Sequence, residues 1–262
     1  MFAHLHCRSY FSLKDGAFSP EDLVRRAAEL GMPAVALTDR DGLYGAPRFV
    51  AACNAAGIKP LLGAYLTVDG GQLARGWTGA EALRRSGAVA RHRRAASAGG
   101  SWGAEGTSAE SRTGAPGGAP STLERRSPRR PASGTTRVLL LARDARGYAN
   151  LCRLITAAHM RGERGDPWLS PGEVMARSEG LVCLLGPDSA PGAMALAGRP
   201  GAARELARPW REAFGRWCFV EVRNLLEPGS PGEIRRLLRL AEEGELPAVA
   251  TNAVRYLVSG DA

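Results

Sequence analysis

The residues of this 262-residue chain best suited to chemistry stand at its start: His4-Leu5-His6, then a polar run through Ser9 and Ser12 to Asp15-Gly16. In an extended segment successive side chains point to opposite faces, so His4 and His6 would share one. Two imidazoles about 7 Å apart at the end of a strand can share a metal ion. Asp15-Gly16 reads as a turn whose carboxylate could swing back as an oxygen ligand, just before Ser19-Pro20-Glu21-Asp22 starts a helix. The plainer alternative is a pair of hydrogen-bonded histidines beneath a barrel mouth, and spacing alone leaves both open.

The elements that must position these groups follow in a regular order. Residues 20–30 carry Leu23, Ala27 and Leu30 at helical spacing with acids in the first turn, and Gly31 closes the helix. The apolar run 33–37 suits a buried parallel strand, and it opens into Thr38-Asp39-Arg40-Asp41-Gly42. Polar residues there lie at the C-terminal end of a strand, where barrels and open sheets place their chemistry. A helix over 46–56 and a strand over 58–62 complete a β-α-β-α-β rhythm, which argues for a parallel, right-handed α/β architecture. Further strands are expected at 137–142, 181–185, 218–222 and 247–250, with helices at 144–160, 200–214 and 231–243. His159, near the end of the 144–160 helix, reads as a favourable cation at a helix C-terminus.

Composition narrows the classes. A hydrophobic content of 44% supports a real core, while 33 Gly and 17 Pro signal much irregular chain. Between Gly71 and Thr136 there are eleven Arg, four Glu and no Lys or Asp, so +7 of the formal +9 sits in that stretch. Residues 70–135 are rich in Gly, Ala, Ser, Arg and Pro and are expected to form a disordered insertion in a surface loop. A transient basic helix over 80–95 keeps a nucleic-acid-binding module as one reading, against a merely solvated tract. Cys7, Cys53, Cys152, Cys183 and Cys218 are scattered, which favours reduced thiols over disulfides or a thiolate zinc site. With no run of about 18 apolar residues and no signal-peptide pattern, a cytoplasmic protein without membrane contact is expected.

The segments HLHCRSYFSLKDG, ALTDRDGLYG, LLGAYLTV, VLLLARDARGYANLCRLIT and AVATNAVRYL occur in the order of the PHP (polymerase and histidinol phosphatase) domain. They resemble most the version found at the N-terminus of bacterial C-family DNA polymerases, the polymerase III alpha subunits and their error-prone relatives. The resemblance implies a distorted (β/α)7 barrel, split here into 1–69 and 136–262 around the insertion. It also implies a metal cluster at the strand ends, able to activate water and clamp a phosphate.

Against that pattern the chain keeps His4, His6 and Asp15. Where the family has TDH, Arg40 follows Asp39; the expected Glu is Tyr65, an expected His is Arg137, an expected Cys is Pro187, and NDVH becomes a motif with Ala253 and Arg255. A guanidinium has no lone pair to give a metal and stays protonated. The resemblance therefore implies a degenerate, structural barrel with no catalytic residue and no cofactor, whose remnant positions are Asp39, Arg40, Tyr65, Arg137, Glu221 and Arg255. A single labile Zn²⁺ or Mn²⁺ at His4, His6 and Asp15 stays open.

Guanidiniums of Arg40, Arg137 and Arg255 near Asp15, Asp39 and Glu221 could instead close the mouth in bidentate pairs, the alternative being that they point into solvent. The expected context is a longer polymerase of the error-prone type, of which this chain would be a fragment ending just past the last motif. Its partners would be the polymerase core of that chain, DNA and a proofreading subunit. A stand-alone metal-dependent phosphoesterase and the nucleic-acid module are the alternatives.

Overall fold

Side-chain alternation along each strand decides which residues enter the barrel and which meet the surrounding helices. A computed structural model of the chain describes residues 2–70, 134–161, 165–224 and 229–257. Six strands form one sheet in chain order: β1 (Ala34–Leu37), β2 (Lys59–Asp69), β3 (Thr135–Ala142), β4 (Leu181–Leu185), β5 (Cys218–Arg223) and β6 (Ala248–Thr251). The described helices are α1 (Pro20–Glu29), α2 (Ala46–Ala56), α3 (Ala145–Arg161), α4 (Pro171–Met175), α5 (Ala190–Leu196), α6 (Pro200–Phe214) and α7 (Ser230–Glu243).

The histidine segment closes the ring as a seam of isolated bridges rather than as a full strand. His4 bridges Val35 of β1 on one side, and Cys7 bridges Val254, just past β6, on the other. Along the first side the amides of Ala36 and Thr38 donate to the carbonyls of His4 and Cys7 at 2.8 and 2.9 Å. Along the second, Arg8 donates to the Val254 carbonyl at 3.0 Å and Val254 to that of His6 at 2.8 Å. The seam and six strands together make the expected distorted α/β barrel.

The sheet departs from the parallel architecture expected: β3 runs antiparallel to both β2 and β4, while the other neighbours are parallel. The reason lies in the connection. Asp69 and Thr135 are register partners, and a Cβ added at Gly70 would lie 2.7 Å from the Gly134 carbonyl, so the chain leaves β2 and enters β3 at the same end of the sheet. A parallel neighbour would require a crossover to the far end. This reversal sets Arg137, near the start of β3, beside Thr67, near the end of β2. Residues 71–133, which hold most of the expected insertion and all of the basic stretch 80–95, lie outside the described residues.

Two apolar layers result. Inside the ring Ala36, Tyr65, Leu139, Leu141 and Leu184 pack together, with Leu5, Phe219 and Val249 against them. Outward-facing Leu66, Leu140, Leu185 and Val220 join Leu151 of α3, Trp210 of α6 and Leu237 of α7 in the main core. Val35 and Leu37 of β1 pack with Leu23 of α1 and Phe49 of α2. The interior changes character along the strands. On β5, Phe219 lies in the apolar floor, whereas Glu221 and Arg223, two and four residues on along the same face, are buried charges.

Helix starts follow their capping residues. The Ser19 hydroxyl accepts from the Asp22 amide, with Pro20 in the first turn and Glu21 and Asp22 beside the positive end of the dipole. Helices α4 and α5, not anticipated from periodicity, are too short to display it, and are marked instead by the caps Ser170 and Ser189. All five cysteines are free thiols, as expected, and among the described residues no helix is long and apolar enough to cross a membrane.

Leu139 is fully buried in the barrel floor, so Leu139→Ala should cost about 2–5 kcal/mol. Urea unfolding followed by circular dichroism checks this, with the midpoint falling and the slope unchanged.

Candidate functional site

The polar end of the barrel gathers side chains from every strand, and the local backbone explains how each arrives. A Cβ at Gly16 would lie 2.1 and 2.2 Å from the carbonyl oxygens of Arg8 and Ser9, so only glycine lets the loop fold back this tightly. The turn buries Asp15 against Arg8, with which it forms an ion pair, and the Nε of Arg255 lies 3.4 Å from its other oxygen. Burial alone would raise the Asp15 pKa, but the guanidiniums of Arg8, Arg255, Arg40 and Arg137 outweigh it and hold the carboxyl below its usual range.

The loop after β1 is held differently. Asp39 accepts from the Ser9 amide at 2.7 Å and from the hydroxyls of Ser9 and Ser12, both at 2.8 Å. Asp41 accepts from the Thr67 amide at 2.6 Å and the Thr67 hydroxyl at 2.7 Å. Burial pushes the pKa of both carboxyls up, in spite of these hydrogen bonds.

On the far wall, Glu221 accepts from His6 Nδ1 and from the Thr251 hydroxyl, both at 2.6 Å. Burial would raise its pKa, yet the pull of His6 and Arg223 and these hydrogen bonds brings it to about 2. Burial lowers the His6 pKa against the attraction of Glu221, and the Nδ1 proton is assigned by this acceptor. Gly186 makes room: a Cβ there would lie 2.1 Å from Glu221 Oε2. Arg223 donates to Asp188 at 2.8 Å, and the same carboxylate accepts the Tyr65 hydroxyl.

Tyr65 stands at the centre. Its ring lies 4.7 Å from that of His6, with the Arg8 and Arg137 guanidiniums 5.2 and 5.8 Å from its centroid. The remnant positions thus do converge, but the anticipated bidentate arginine pairs do not form. Arg255 alone of the three named arginines approaches a carboxylate within ion-pair distance. Arg40 donates to the Leu13 carbonyl at 3.2 Å, and Arg137 lies against Tyr65. The buried partners of Asp15 and Asp188 are Arg8 and Arg223, which the sequence reading did not single out. A signal was present: Arg8 is two residues past His6 and Arg223 two past Glu221, each on an inward-facing parity. His159, expected to act at a helix end, sets its Nε2 2.8 Å from the Asp41 carbonyl.

A PHP domain model matches residues 4–224. The chain belongs to the PHP domain family. An error-prone DNA polymerase of Nocardia farcinica is 32% identical over 97% of this chain and 22% of its own length. A DNA polymerase III subunit alpha of Pseudomonas fluorescens is 27% identical over 99% of the chain and 17% of its own. The chain thus spans about a fifth of the length of these relatives. Among solved structures, an amidohydrolase from Chromobacterium violaceum, described with bound sulfate and no metal, shares the fold at a TM-score of 0.52 and 15% identity, over 97% of this chain and 87% of its own. A two-domain Bacteroides vulgatus protein with a predicted PHP-like metal-dependent phosphoesterase gives 0.51 at 12% identity, over 99% of this chain and 53% of its own.

The metal cluster expected of a PHP barrel can be tested against these residues. His4 Nδ1 and His6 Nε2 are buried without partners, as a metal would need. The rest of the set does not follow. Asp15 is engaged by Arg8 and Arg255, Glu221 by His6 and Thr251, and among the described residues no group of three or more His, Cys, Asp or Glu could hold a metal ion. The residues present do not fit the cluster.

Two tests follow from this geometry. Ala253, where the PHP motif carries Asp, is held at φ 47°, a left-handed conformation that Gly or Asn adopts more easily than Ala. Ala253→Gly should stabilise the protein by about 1 kcal/mol, measured by urea unfolding. Because the Glu221 pKa is depressed from 4.5 to about 2, its charge contributes stability above pH 4.5 that is lost as pH falls towards 2. Asp39 and Asp41, whose pKa values are raised, contribute the opposite slope, so a variant comparison is needed to isolate Glu221. Glu221→Gln should be about 2 kcal/mol less stable at neutral pH, and that gap should close through the same acid window in denaturation curves.

Proposed function

We propose that this chain is a structural PHP domain of a C-family DNA polymerase of the error-prone type, with its metal-dependent hydrolysis lost. The observation that carries this reading is the occupancy of the mouth. Guanidiniums of Arg8 and Arg255 engage Asp15, and the Tyr65 phenol fills the centre where the family pattern has a metal-binding Glu. A guanidinium carries charge but accepts no electron pair, so it cannot coordinate a water and turn it into a hydroxide nucleophile as a metal does.

In the larger enzyme such a barrel would serve as a rigid platform against the polymerase core, with DNA and a proofreading subunit as the further context. The two-part barrel, 1–69 and 136–262 about an insertion at 70–135, belongs to the same reading. The competing reading is a metal-dependent phosphoesterase, and the unpartnered nitrogens of His4 and His6 are what favour it.

Metal content and turnover separate the two. Purified intact chain, incubated with Zn²⁺ or Mn²⁺ and freed of excess metal, should retain well below one equivalent and should not hydrolyse p-nitrophenyl phosphate. Stoichiometric metal with metal-dependent turnover, abolished by His6→Ala, would establish the phosphoesterase instead.

A further inference from the structure

Cys183 of β4 and Cys218 of β5 are register partners on neighbouring parallel strands. Register partners point to the same face of a sheet, and here that face is the outer one, because the next pair along, Leu184 and Phe219, sits in the barrel floor. Both thiols enter the main core beside Leu185, Val220 and Phe214, and both are fully buried. A side-chain hydrogen bond joins the two sulfurs. The other cysteines are placed differently: Cys7 bridges Val254, while Cys53 and Cys152 lie in α2 and α3.

Neighbouring strands lie about 4.8 Å apart, inside the range of about 4.4–6.8 Å in Cα separation that a disulfide spans. The sheet itself therefore brings this pair within bonding reach. Burial pushes the Cys183 thiol well above its usual pKa, so the reactive thiolate is scarce and the pair stays reduced while the core is closed. A route for opening lies next to Cys218. The single 3₁₀ turn Gly215–Trp217 immediately precedes it, and Gly215 and Arg216 of that turn are exposed. Fraying of so short a turn uncovers Cys218 without unfolding the barrel.

We propose that Cys183 and Cys218 form a latent modification site, closing to a reversible intrachain disulfide under a peroxide oxidant and locking β4 to β5. The Cys218 thiolate attacks one peroxide oxygen, the O–O bond breaks, and a sulfenic acid forms with release of one water. The Cys183 sulfur then displaces the sulfenic oxygen, which leaves with the remaining thiol proton as a second water. Two thiols are thus oxidised to one disulfide while one peroxide is reduced to two waters. Three residues on from each cysteine stand Gly186 and Glu221, where a Cβ on the glycine would lie 2.1 Å from Glu221 Oε2, so the link would pin the same two strands that make this close approach.

The intact chain, fully reduced and then exposed to hydrogen peroxide in native buffer, tests the site. Remaining thiols are alkylated with iodoacetamide under denaturing conditions and the tryptic peptides are read by mass spectrometry. Met160, 82% exposed, reports by gaining one oxygen that the oxidant has acted. The expected product is a linked pair of peptides carrying Cys183 and Cys218, lighter by two hydrogens than the two thiol peptides and separated by dithiothreitol. The urea midpoint of the oxidised chain should lie above that of the same sample after dithiothreitol, because the link restricts the unfolded chain across residues 184–217 while methionine oxidation is common to both. Full alkylation of Cys183 and Cys218 alongside oxidised Met160, or a link from either to another cysteine, overturns the site. A midpoint lower with the link than without it overturns closure within the native sheet.

Discussion

Charge removed from water must be compensated where it lies, and that constraint shapes the whole mouth of this barrel. Asp15, Asp39, Asp41 and Glu221 are each at most 8% exposed, so bulk solvent does little to stabilise their ionised forms. A metal cluster would meet the demand with a few concentrated charges. Here it is met piecemeal: Arg8 and Arg255 serve Asp15, Arg223 serves Asp188, serine and threonine donors serve Asp39 and Asp41, and His6 with Thr251 serves Glu221. The difference appears in the proton equilibria. Carboxyls facing guanidiniums are held low, while those given only neutral donors, Asp39 and Asp41, are driven up by burial.

Topology makes this compensation feasible. Were β3 parallel to its neighbours, Arg137 would stand at the apolar end of the barrel, a buried cation among leucines. Its reversal brings the start of the strand to the mouth, where the guanidinium finds the face of Tyr65 and the Asp188 backbone carbonyl accepts the Arg137 amide at 2.8 Å. One change of strand direction therefore serves both layers: Leu139 and Leu141 fall in the floor, and the cation falls at the rim.

Much of this was legible beforehand. Hydrophobic runs and caps placed most strands and long helices, since burial of one strand face and one helix stripe leaves a strong periodic trace. The PHP motifs located His4, His6, Asp15, Asp39, Tyr65, Arg137 and Arg255 in one region, with Glu221 counted beside them as a leftover acid. What escaped was pairing. Which guanidinium meets which carboxylate depends on side-chain reach across strands distant in sequence, as Arg223 to Asp188 and His6 to Glu221 illustrate. Strand direction escaped for a similar reason: β3 has the same apolar composition whichever way it runs, and only the connection entering it decides. The arginines standing at expected histidine positions drew attention because a motif made them conspicuous. Arg8 and Arg223, which belong to no ligand pattern, form the buried pairs.

A mouth held by guanidiniums and one held by a metal would depend on different things. A metal-held mouth ties folding to metal supply, because binding free energy becomes folding free energy. Pairs such as Arg8 with Asp15 carry their own desolvation cost and need not add net stability over apolar packing, yet losing one partner leaves the other buried and uncompensated. A mouth held by such pairs is intolerant of single changes. Tyr65 completes this arrangement: its ring supplies apolar contact to the floor and a face to Arg8 and Arg137, while its hydroxyl helps hold Asp188. A carboxylate at that position would add negative charge beside Asp188 and Glu221, a burden that a metal could relieve and these arginines, already engaged, could relieve only in part.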